Sequence, residues 1–120
     1  MDCDGRAYRD DFLLICAGNT SHAGGRMMHL SPGAVAHDGL LNISLIRATS
    51  RGEVARQFLR LLRGTHVRHP RADYFTGREI KVQTVAPADV QLDGDCLGRT
   101  PASFRVKPGA LQLLSPPAEP

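Results

Sequence analysis

The stretch Asp38-Gly39-Leu40-Leu41-Asn42-Ile43-Ser44-Leu45-Ile46 decides the fold class of this chain. Asp38-Gly39 is a turn dipeptide, because glycine accepts the positive φ that tight turns require. From residue 41 to residue 46 apolar and polar side chains alternate, and this period of two predicts a β-strand. We therefore expect a strand that begins directly after a turn.

Strand patterns also occur on both sides of this stretch. Upstream, residues 12–17 form a nearly continuous apolar run, which predicts a strand buried on both faces. Downstream, four more segments have strand patterns or adjoin turn dipeptides: residues 80–85, 90–92, 103–107 and 110–114. Many short strands separated by close turns predict an antiparallel sandwich.

One segment has the pattern of a helix instead. Ser50 precedes Glu53 by three residues, which is the spacing of a capping box, and Gly64 supplies a stop signal. The apolar face of this helix is predicted to consist of Val54, Phe58, Leu61 and Leu62, and the opposite face of Arg56, Arg60 and Arg63. The predicted fold is therefore mainly β (α+β), an antiparallel β-sandwich with one amphipathic helix near residues 51–63.

The composition excludes several classes of protein. The 120 residues suit one domain, and no apolar run approaches the roughly 18 residues of a membrane helix. The amino terminus carries charges at Asp2, Asp4 and Arg6 rather than a signal peptide, so a cytoplasmic location is expected. The three cysteines are odd in number and widely spaced, which argues against disulfides and a zinc site.

A net charge of +3 suits nucleic acid, an anionic membrane or phosphate groups equally well. The chain has no Trp, two Tyr and four Phe, and this leaves little surface for stacking nucleic-acid bases. We therefore expect no nucleic-acid partner. The arginines of the predicted helix, Arg56, Arg60 and Arg63, are candidates for contact with lipid or phosphate, or they form a solvated face.

Two carboxylates are candidates for chemistry. Asp95 follows the hairpin dipeptide Asp93-Gly94, and a carboxylate at such a turn can accept a proton from a substrate hydroxyl, as a general base does. The same acid can equally be a solvated turn residue. Asp38 can likewise bind a hard cation such as Mg²⁺, or it can be a turn acid before a strand. The sequence contains no G-x-x-x-x-G-K-[ST] loop and no strand-borne G-x-G-x-x-G loop.

An ordered set of segments resembles the diacylglycerol kinase and sphingosine kinase-like family of lipid kinases. The segments are Cys16-Ala17-Gly18-Asn19, Gly24-Gly25, Leu30-Ser31-Pro32-Gly33-Ala34, Asp38-Gly39-Leu40-Leu41, Gln91-Leu92-Asp93-Gly94-Asp95 and Pro108-Gly109-Ala110-Leu111. The family consists of two-domain enzymes in which the lipid site lies between a nucleotide-binding domain with a GGDGT loop and a carboxy-terminal β-sandwich.

The resemblance implies a role for several residues. Asp95 matches the family's general base, although the family usually has Glu there. Asp38 matches a side-chain ligand of a structural Mg²⁺, with the backbone carbonyls of Val35 and Leu40 as further ligands. The implied reaction is phosphoryl transfer from ATP to a lipid hydroxyl, with Mg²⁺ offsetting the phosphate charge.

The resemblance also sets the expected organisation. We expect residues 1–114 to be the substrate-side β-sandwich of a lipid kinase, incomplete and inactive without the nucleotide-binding domain that binds ATP, followed by a proline-rich tail at 115–120. The expected partners are that nucleotide-binding domain and a lipid substrate, diacylglycerol-like or sphingoid-like, at a membrane surface, where the chain is peripheral. The alternative is a non-catalytic lipid-binding or dimerisation module on the same fold. A free sheet edge would favour a homodimer.

Overall fold

The computed structural model describes residues 1–47 and 50–112. In these residues the elements occur in the order β1 (Asp2–Cys3), β2 (Arg6–Ala7), β3 (Phe12–Gly18), β4 (Leu41–Arg47), α1 (Arg51–Arg63), a 3₁₀ helix (His66–Arg68), β5 (Ala72–Gly77), β6 (Glu79–Val82), β7 (Asp89–Leu92), β8 (Asp95–Arg99) and β9 (Ala102–Arg105).

The strands form three antiparallel sheets. One sheet has the order β2-β1-β6-β9, a second has the order β3-β4-β5, and β7 and β8 form a separate two-stranded hairpin. Residues of the first two sheets meet in one apolar core, as in a sandwich. The predicted mainly β fold with a single amphipathic helix is confirmed.

The core lies between the four-stranded and the three-stranded sheet. Ile43 and Leu45 of β4 are fully buried and pack with Cys3 of β1 and Ile80 of β6. Alternate residues of a strand point to the same face, so Ile43 and Leu45 share the inner face of β4. Half-buried apolar side chains complete this core: Met1, Tyr8, Phe12, Ile15, Leu41, Phe75 and Phe104.

The strand that is buried on both faces is β4 and not β3. β4 pairs with β3 on one side and β5 on the other, and Asn42 and Ser44 on its outer face are also buried. Among the described strands β3 lies at the edge of its sheet, and its Leu13 and Leu14 are 44% and 40% exposed. The prediction for residues 12–17 was therefore right about the strand and wrong about its burial. A continuous apolar run does not reveal how many neighbours cover a strand.

The helix α1 has the predicted bounds but not the predicted cap. The side chain of Ser50 makes no capping hydrogen bond, whereas its carbonyl accepts from the N–H groups of Glu53 and Val54 at 3.0 Å. Gly64 ends the helix in the left-handed conformation, with φ of 69°, where glycine has no Cβ penalty.

The faces of α1 also differ from the prediction. The buried residues of the helix are Gln57 and Leu61, whereas Phe58 is 56% exposed. Arg60 is half buried, so it does not lie opposite the covered face. The prediction placed Phe58 on the covered side because the six apolar residues of the helix form one broad continuous surface, from Leu61 round to Leu59. A sheet and a 3₁₀ helix can cover only part of such a surface.

The predicted last strand is not formed where the structure describes it. Residues 110–112 follow a turn and have no strand conformation, and the rest of the predicted strand 110–114 lies outside the described residues, as does the predicted tail 115–120. Ala110 N–H donates to the carbonyl of Lys107 at 3.3 Å, so the chain turns there instead of extending.

Substitution of Leu45 by Ala is expected to lower the free energy of unfolding by about 2–5 kcal/mol, because it opens a cavity in the core. The matched control is Leu13→Ala in β3, which removes the same atoms from a side chain that is 44% exposed. The decrease in the free energy of unfolding of Leu13→Ala is expected to stay near 1 kcal/mol or below, in line with about 25 cal/mol per Å² of buried apolar area. Urea unfolding followed by circular dichroism measures both. Equal losses would contradict this description of the core.

Candidate functional site

The hairpin β7–β8 carries the candidate base, Asp95. Its turn consists of Asp93 and Gly94, whose φ angles of 51° and 97° are both positive. Two positive φ angles in a two-residue loop are the mark of a type I′ hairpin turn, which Asp-Gly favours. The predicted turn is therefore present, and Asp95 is the first residue of β8, opposite Leu92.

The hairpin is open to solvent along its length. Every residue of β8 is exposed, including Leu97 at 63%, and Leu92 of β7 is 50% exposed. The Asp95 carboxylate has no hydrogen bond or ion pair with any residue in the described ranges. It is therefore accessible to a molecule that approaches the hairpin from outside.

Asp38 lies in a tight turn before β4. Its Oδ1 accepts the N–H of Leu40 at 2.8 Å, and its own N–H donates to the carbonyl of Val35 at 3.3 Å. The three predicted metal ligands, Asp38, Val35 and Leu40, are therefore neighbours within one turn. The Asp38 carboxylate also closes an Asx turn, which is a sufficient structural reason for an acid at this position.

A charged cleft of about 520 Å³ adjoins this turn. It is lined by Asp4, His37, Asp38, Gly39, Arg78, Glu79, Arg105, Val106 and Pro108. Glu79 and Arg105 pair at one end of the β6–β9 ladder, and the hairpin continues from the other end, where Val82 pairs with Ala102. Asp95 is not among the lining residues. The structure thus does not bring Asp95 and Asp38 into one cleft.

Two carboxylates of the cleft are held in the charged form. The Asp4 carboxylate accepts the backbone N–H groups of Arg78 and Glu79 at 2.8 and 2.9 Å. These two hydrogen bonds hold the pKa of Asp4 below its usual range. The Arg105 guanidinium, 3.0 Å from Glu79 Oε1, likewise lowers the pKa of Glu79. Neither carboxylate is free of partners, unlike that of Asp95.

The three predicted lipid-contact arginines do not share one environment. Arg56 and Arg60 lie 3.4 and 3.7 Å from the carboxylate of Glu53, whereas Arg63 is exposed and has no ion-pair partner within the described ranges. Glu53 also accepts from His69 Nε2 at 3.2 Å. The N–H of Arg71 donates to Nδ1 of His69, so Nδ1 is the accepting nitrogen of the ring.

Sequence reasoning missed the cleft, because its parts are far apart in the chain. Asp4 accepts hydrogen bonds from Arg78 and Glu79, which are 74 and 75 residues away in the chain. No local sequence pattern predicts such a pairing. It also missed the exposure of Phe58 and Leu59. Here a signal existed, because the helix carries more apolar residues than one packing face can cover.

The residues at the Asp38 turn fit a magnesium ion in their donor chemistry. Mg²⁺ prefers oxygen ligands and is commonly held by one or two carboxylates together with water. The turn supplies one carboxylate and two backbone carbonyls. Over residues 1–47 and 50–112, however, no group of three or more His, Cys, Asp and Glu side chains is arranged to hold a metal. Such a site would therefore be a hydrated one with a single carboxylate.

Comparison with known proteins identifies the domain. Residues 1–115 match the family described as the YegS C-terminal NAD kinase beta sandwich-like domain. The chain belongs to this family. It is 32% identical over 106 residues to a diacylglycerol kinase of Mycobacterium tuberculosis and 24% identical over 104 residues to one of Staphylococcus carnosus. The resemblance of the sequence to the carboxy-terminal domain of diacylglycerol kinase-like lipid kinases is thereby confirmed.

The family shares its fold with a solved structure. A protein from Bacillus anthracis assigned as a diacylglycerol kinase superposes with a TM-score of 0.70 at 22% identity, over 90% of this chain and 37% of that one. The alignments with the mycobacterial and staphylococcal relatives cover 88% and 87% of this chain. The chain spans about a third of their length, 34% in both cases. Within the part of the chain that the structure describes, no helix has the length and apolarity to cross a bilayer.

The two backbone hydrogen bonds to the Asp4 carboxylate predict a pH effect on stability. Its folded pKa is lowered, so its contribution is present above the unfolded pKa near 4 and is lost as the pH falls through the lower folded value. Asp4→Asn is expected to reduce stability at neutral pH and to flatten the decline below about pH 5. The urea concentration at the midpoint of unfolding, determined at a series of pH values from neutral to acid, measures this dependence of stability on pH.

Asp11→Asn is the control for this prediction, because the Asp11 carboxylate has no hydrogen bond or ion pair in the described part of the chain. The plot of urea midpoint against pH for Asp11→Asn is expected to run parallel to that of the unchanged protein. An Asp4→Asn curve that is also parallel would show that the two backbone hydrogen bonds do not couple proton binding to folding.

Proposed function

We propose that this domain is the substrate-side half of an ATP-dependent lipid kinase and is inactive without a nucleotide-binding domain. The observation that carries the proposal is the exposed carboxylate of Asp95, presented beside a type I′ turn on a hairpin whose Leu92 and Leu97 are also exposed. A catalytic group on an open hairpin needs a second body to exclude water and to complete a site. Family membership and the relatives named diacylglycerol kinase support this reading.

In the proposed reaction the oxygen of a lipid hydroxyl attacks the γ-phosphorus of ATP. The new oxygen–phosphorus bond forms as the bond to the leaving ADP oxygen breaks, and Asp95 accepts the hydroxyl proton. The nucleotide-binding domain holds ATP, in keeping with the lack of a phosphate loop in this sequence. The lipid is diacylglycerol-like or sphingoid-like, and the domain meets it at a membrane surface as a peripheral protein.

A magnesium ion is part of the proposal. Asp38 would hold it through its carboxylate, with the carbonyls of Val35 and Leu40 as further oxygen ligands. Bound there, Mg²⁺ would supply positive charge that stabilises the turn before β4. This ion is distinct from the one that accompanies ATP, because the cleft beside Asp38 does not include Asp95.

A non-catalytic module that dimerises is the second candidate, and the edge strand β3 favours it. β3 extends over seven residues, pairs with one strand among residues 1–47 and 50–112, and exposes Leu13 and Leu14. An unpaired strand edge of this length can pair with a second copy of the chain. This candidate predicts a concentration-dependent dimer and gives Asp95 no role.

Asp95→Asn is expected to lower lipid phosphorylation at least about 100-fold, the lower limit for loss of a general base. The assay joins the domain to the amino-terminal portion of the mycobacterial relative and measures transfer of labelled phosphate from ATP to diacylglycerol in vesicles. Without the added portion, no transfer is expected. Asp95→Glu, which restores the residue usual in the family, is expected to retain activity.

The matched control for Asp95 is Asp93→Asn, in the same turn. Asn tolerates the positive φ of 51° at this position as well as Asp does, so the hairpin keeps its shape. Its activity is expected to stay within a few-fold of the unchanged enzyme. A fully active Asp95→Asn enzyme would remove Asp95 from the mechanism and favour the non-catalytic candidate.

Mg²⁺ is expected to raise the melting temperature of the chain, and Asp38→Asn is expected to abolish the increase. Asn keeps an oxygen that can accept the N–H of Leu40 but loses the charge that a divalent cation requires. Thermal unfolding with and without Mg²⁺ measures the effect, and Asp11→Asn serves as the control. An equal increase in the Asp38 variant would place the ion elsewhere.

A further inference from the structure

Helix α1 presents an exposed surface that the fold leaves uncovered. Seven of its residues are exposed, all on one side: Arg51, Gly52, Ala55, Arg56, Phe58, Leu59 and Arg63. We call this surface the α1 strip. It faces away from Gln57 and Leu61, the buried residues of the helix.

The centre of the α1 strip is apolar. Phe58 and Leu59 are each 56% exposed. Ala55 lies three and four residues before them, so the three side chains are neighbours on the helix surface. Half-buried Leu62 continues the patch towards the end of the helix. Two large apolar side chains side by side in solvent are more than a scattered exposed residue, and they mark an interaction surface.

The margins of the α1 strip are cationic. Arg56 and Arg63 are three and four residues from Leu59 and therefore flank it, and Arg51 lies beside Ala55. The Arg56 side chain is 68% exposed although Glu53 is 3.4 Å away. Glu53 is the only acid among residues 51–63, and its side chain is 18% exposed. The exposed side of α1 therefore combines apolar and positive groups without an exposed carboxylate.

The strip is also held in place. Gln57 Nε2 lies 2.8 Å from His69 Nδ1, and the N–H of Thr65 donates to the carbonyl of Arg60 at 2.9 Å after the stop at Gly64. The contact with His69 ties α1 to the segment after it, and the Thr65 hydrogen bond closes the end of the helix. Its exposed side is thus preformed and does not need to be ordered when a partner binds.

From these observations we infer that the α1 strip docks on an anionic phospholipid bilayer. Phe58 and Leu59 enter the boundary between headgroups and acyl chains, and Arg51, Arg56 and Arg63 meet lipid phosphates. A helix with a cationic margin and a short apolar strip has the composition of surface-lying membrane helices, and each arginine gains from the negative potential of the membrane. The inference rests on the membrane location in the proposed function and assigns the surface that makes the contact, and the docking itself requires neither ATP nor Asp95.

The absence of tryptophan in the chain allows a direct test with one reporter. Phe58→Trp is expected to show a blue shift of its emission with vesicles of phosphatidylglycerol and phosphatidylcholine, and quenching by bromine-labelled acyl chains. Val85→Trp is the control, because Val85 is fully exposed in a loop. It is expected to show neither effect. Insertion of Val85→Trp but not of Phe58→Trp would overturn the assignment of the surface.

Paired variants separate the apolar and the cationic contributions in vesicle sedimentation. Phe58→Ser/Leu59→Ser is expected to weaken binding at least about tenfold. Val85→Ser/Leu111→Ser, which alters two other exposed apolar residues, is expected to leave it unchanged. Arg56→Glu/Arg63→Glu is expected to abolish the preference for phosphatidylglycerol, whereas Arg9→Glu/Lys107→Glu retains it. Melting temperatures confirm that each variant is folded.

Three outcomes would overturn the inference. One is a failure of the unchanged chain to sediment with phosphatidylglycerol vesicles. Another is a blue shift of Phe58→Trp that depends on protein concentration without vesicles, because a second copy would then cover the strip. The third is equal binding by the two charge-reversed pairs. The vesicles contain no diacylglycerol and the assay no ATP, so Asp95→Asn is expected to bind normally even if the proposed kinase reaction fails.

Discussion

Polar contacts cover the outer face of β4. These contacts hold both the loop that leads to Asp38 and the segment that follows α1. Ser44 Oγ lies 3.4 Å from Nε2 of the fully buried His66, which belongs to the 3₁₀ helix after α1. Asn42 donates to the Tyr74 hydroxyl at 3.1 Å, which in turn donates to the carbonyl of Pro32 at 2.7 Å. Burial lowers the pKa of His66 and raises that of Tyr74, so both are neutral near pH 7. Neutral partners suit this interior because they carry no charge that would have to be desolvated.

The same strand shows what could and could not be predicted from sequence. The alternation in residues 41–46 gave the strand correctly, since its inner residues Ile43 and Leu45 are apolar. The alternation did not reveal that the polar side is covered as well, because His66 and Tyr74 lie 22 and 32 residues from the groups they contact. The reverse holds for β3, whose apolar run implied two covered faces although the strand lies at an edge. The local pattern of apolar and polar residues determines that a segment forms a strand. Residues far away in the chain determine whether one or both faces of that strand are buried.

The same distinction between local pattern and distant contacts applies to the hairpin that carries Asp95, to the α1 strip and to the charged cleft. The bounds of α1 and the turn at Asp93-Gly94 are encoded locally, by Gly64 and by residues that tolerate positive φ, and both were predicted. The exposure of Phe58 and the cleft between Asp4, Asp38 and Arg105 depend on which elements pack together. Glu53 illustrates the difference, because its spacing from Ser50 indicated a cap, whereas its carboxylate meets Arg56 and Arg60 of its own helix and His69 beyond it. Two charged arginines and a histidine N–H outweigh one backbone N–H group.

The position of the candidate base is governed by the hairpin rather than by the sandwich. Polar contacts tie β7 and β8 at their base, through Thr100 with Ala88 and through Asp89 with Arg99 at 2.9 Å. A two-stranded ribbon with solvent on both faces is only marginally stable by itself. Packing of a second domain on Leu92 and Leu97 would therefore order the hairpin and set the position of Asp95 together. Aspartate is one methylene shorter than the glutamate usual in the family, a loss of reach of about 1.5 Å. In the proposed kinase only the backbone of the hairpin could make up that distance, so the docked position of β7–β8 would decide whether Asp95 reaches a substrate hydroxyl.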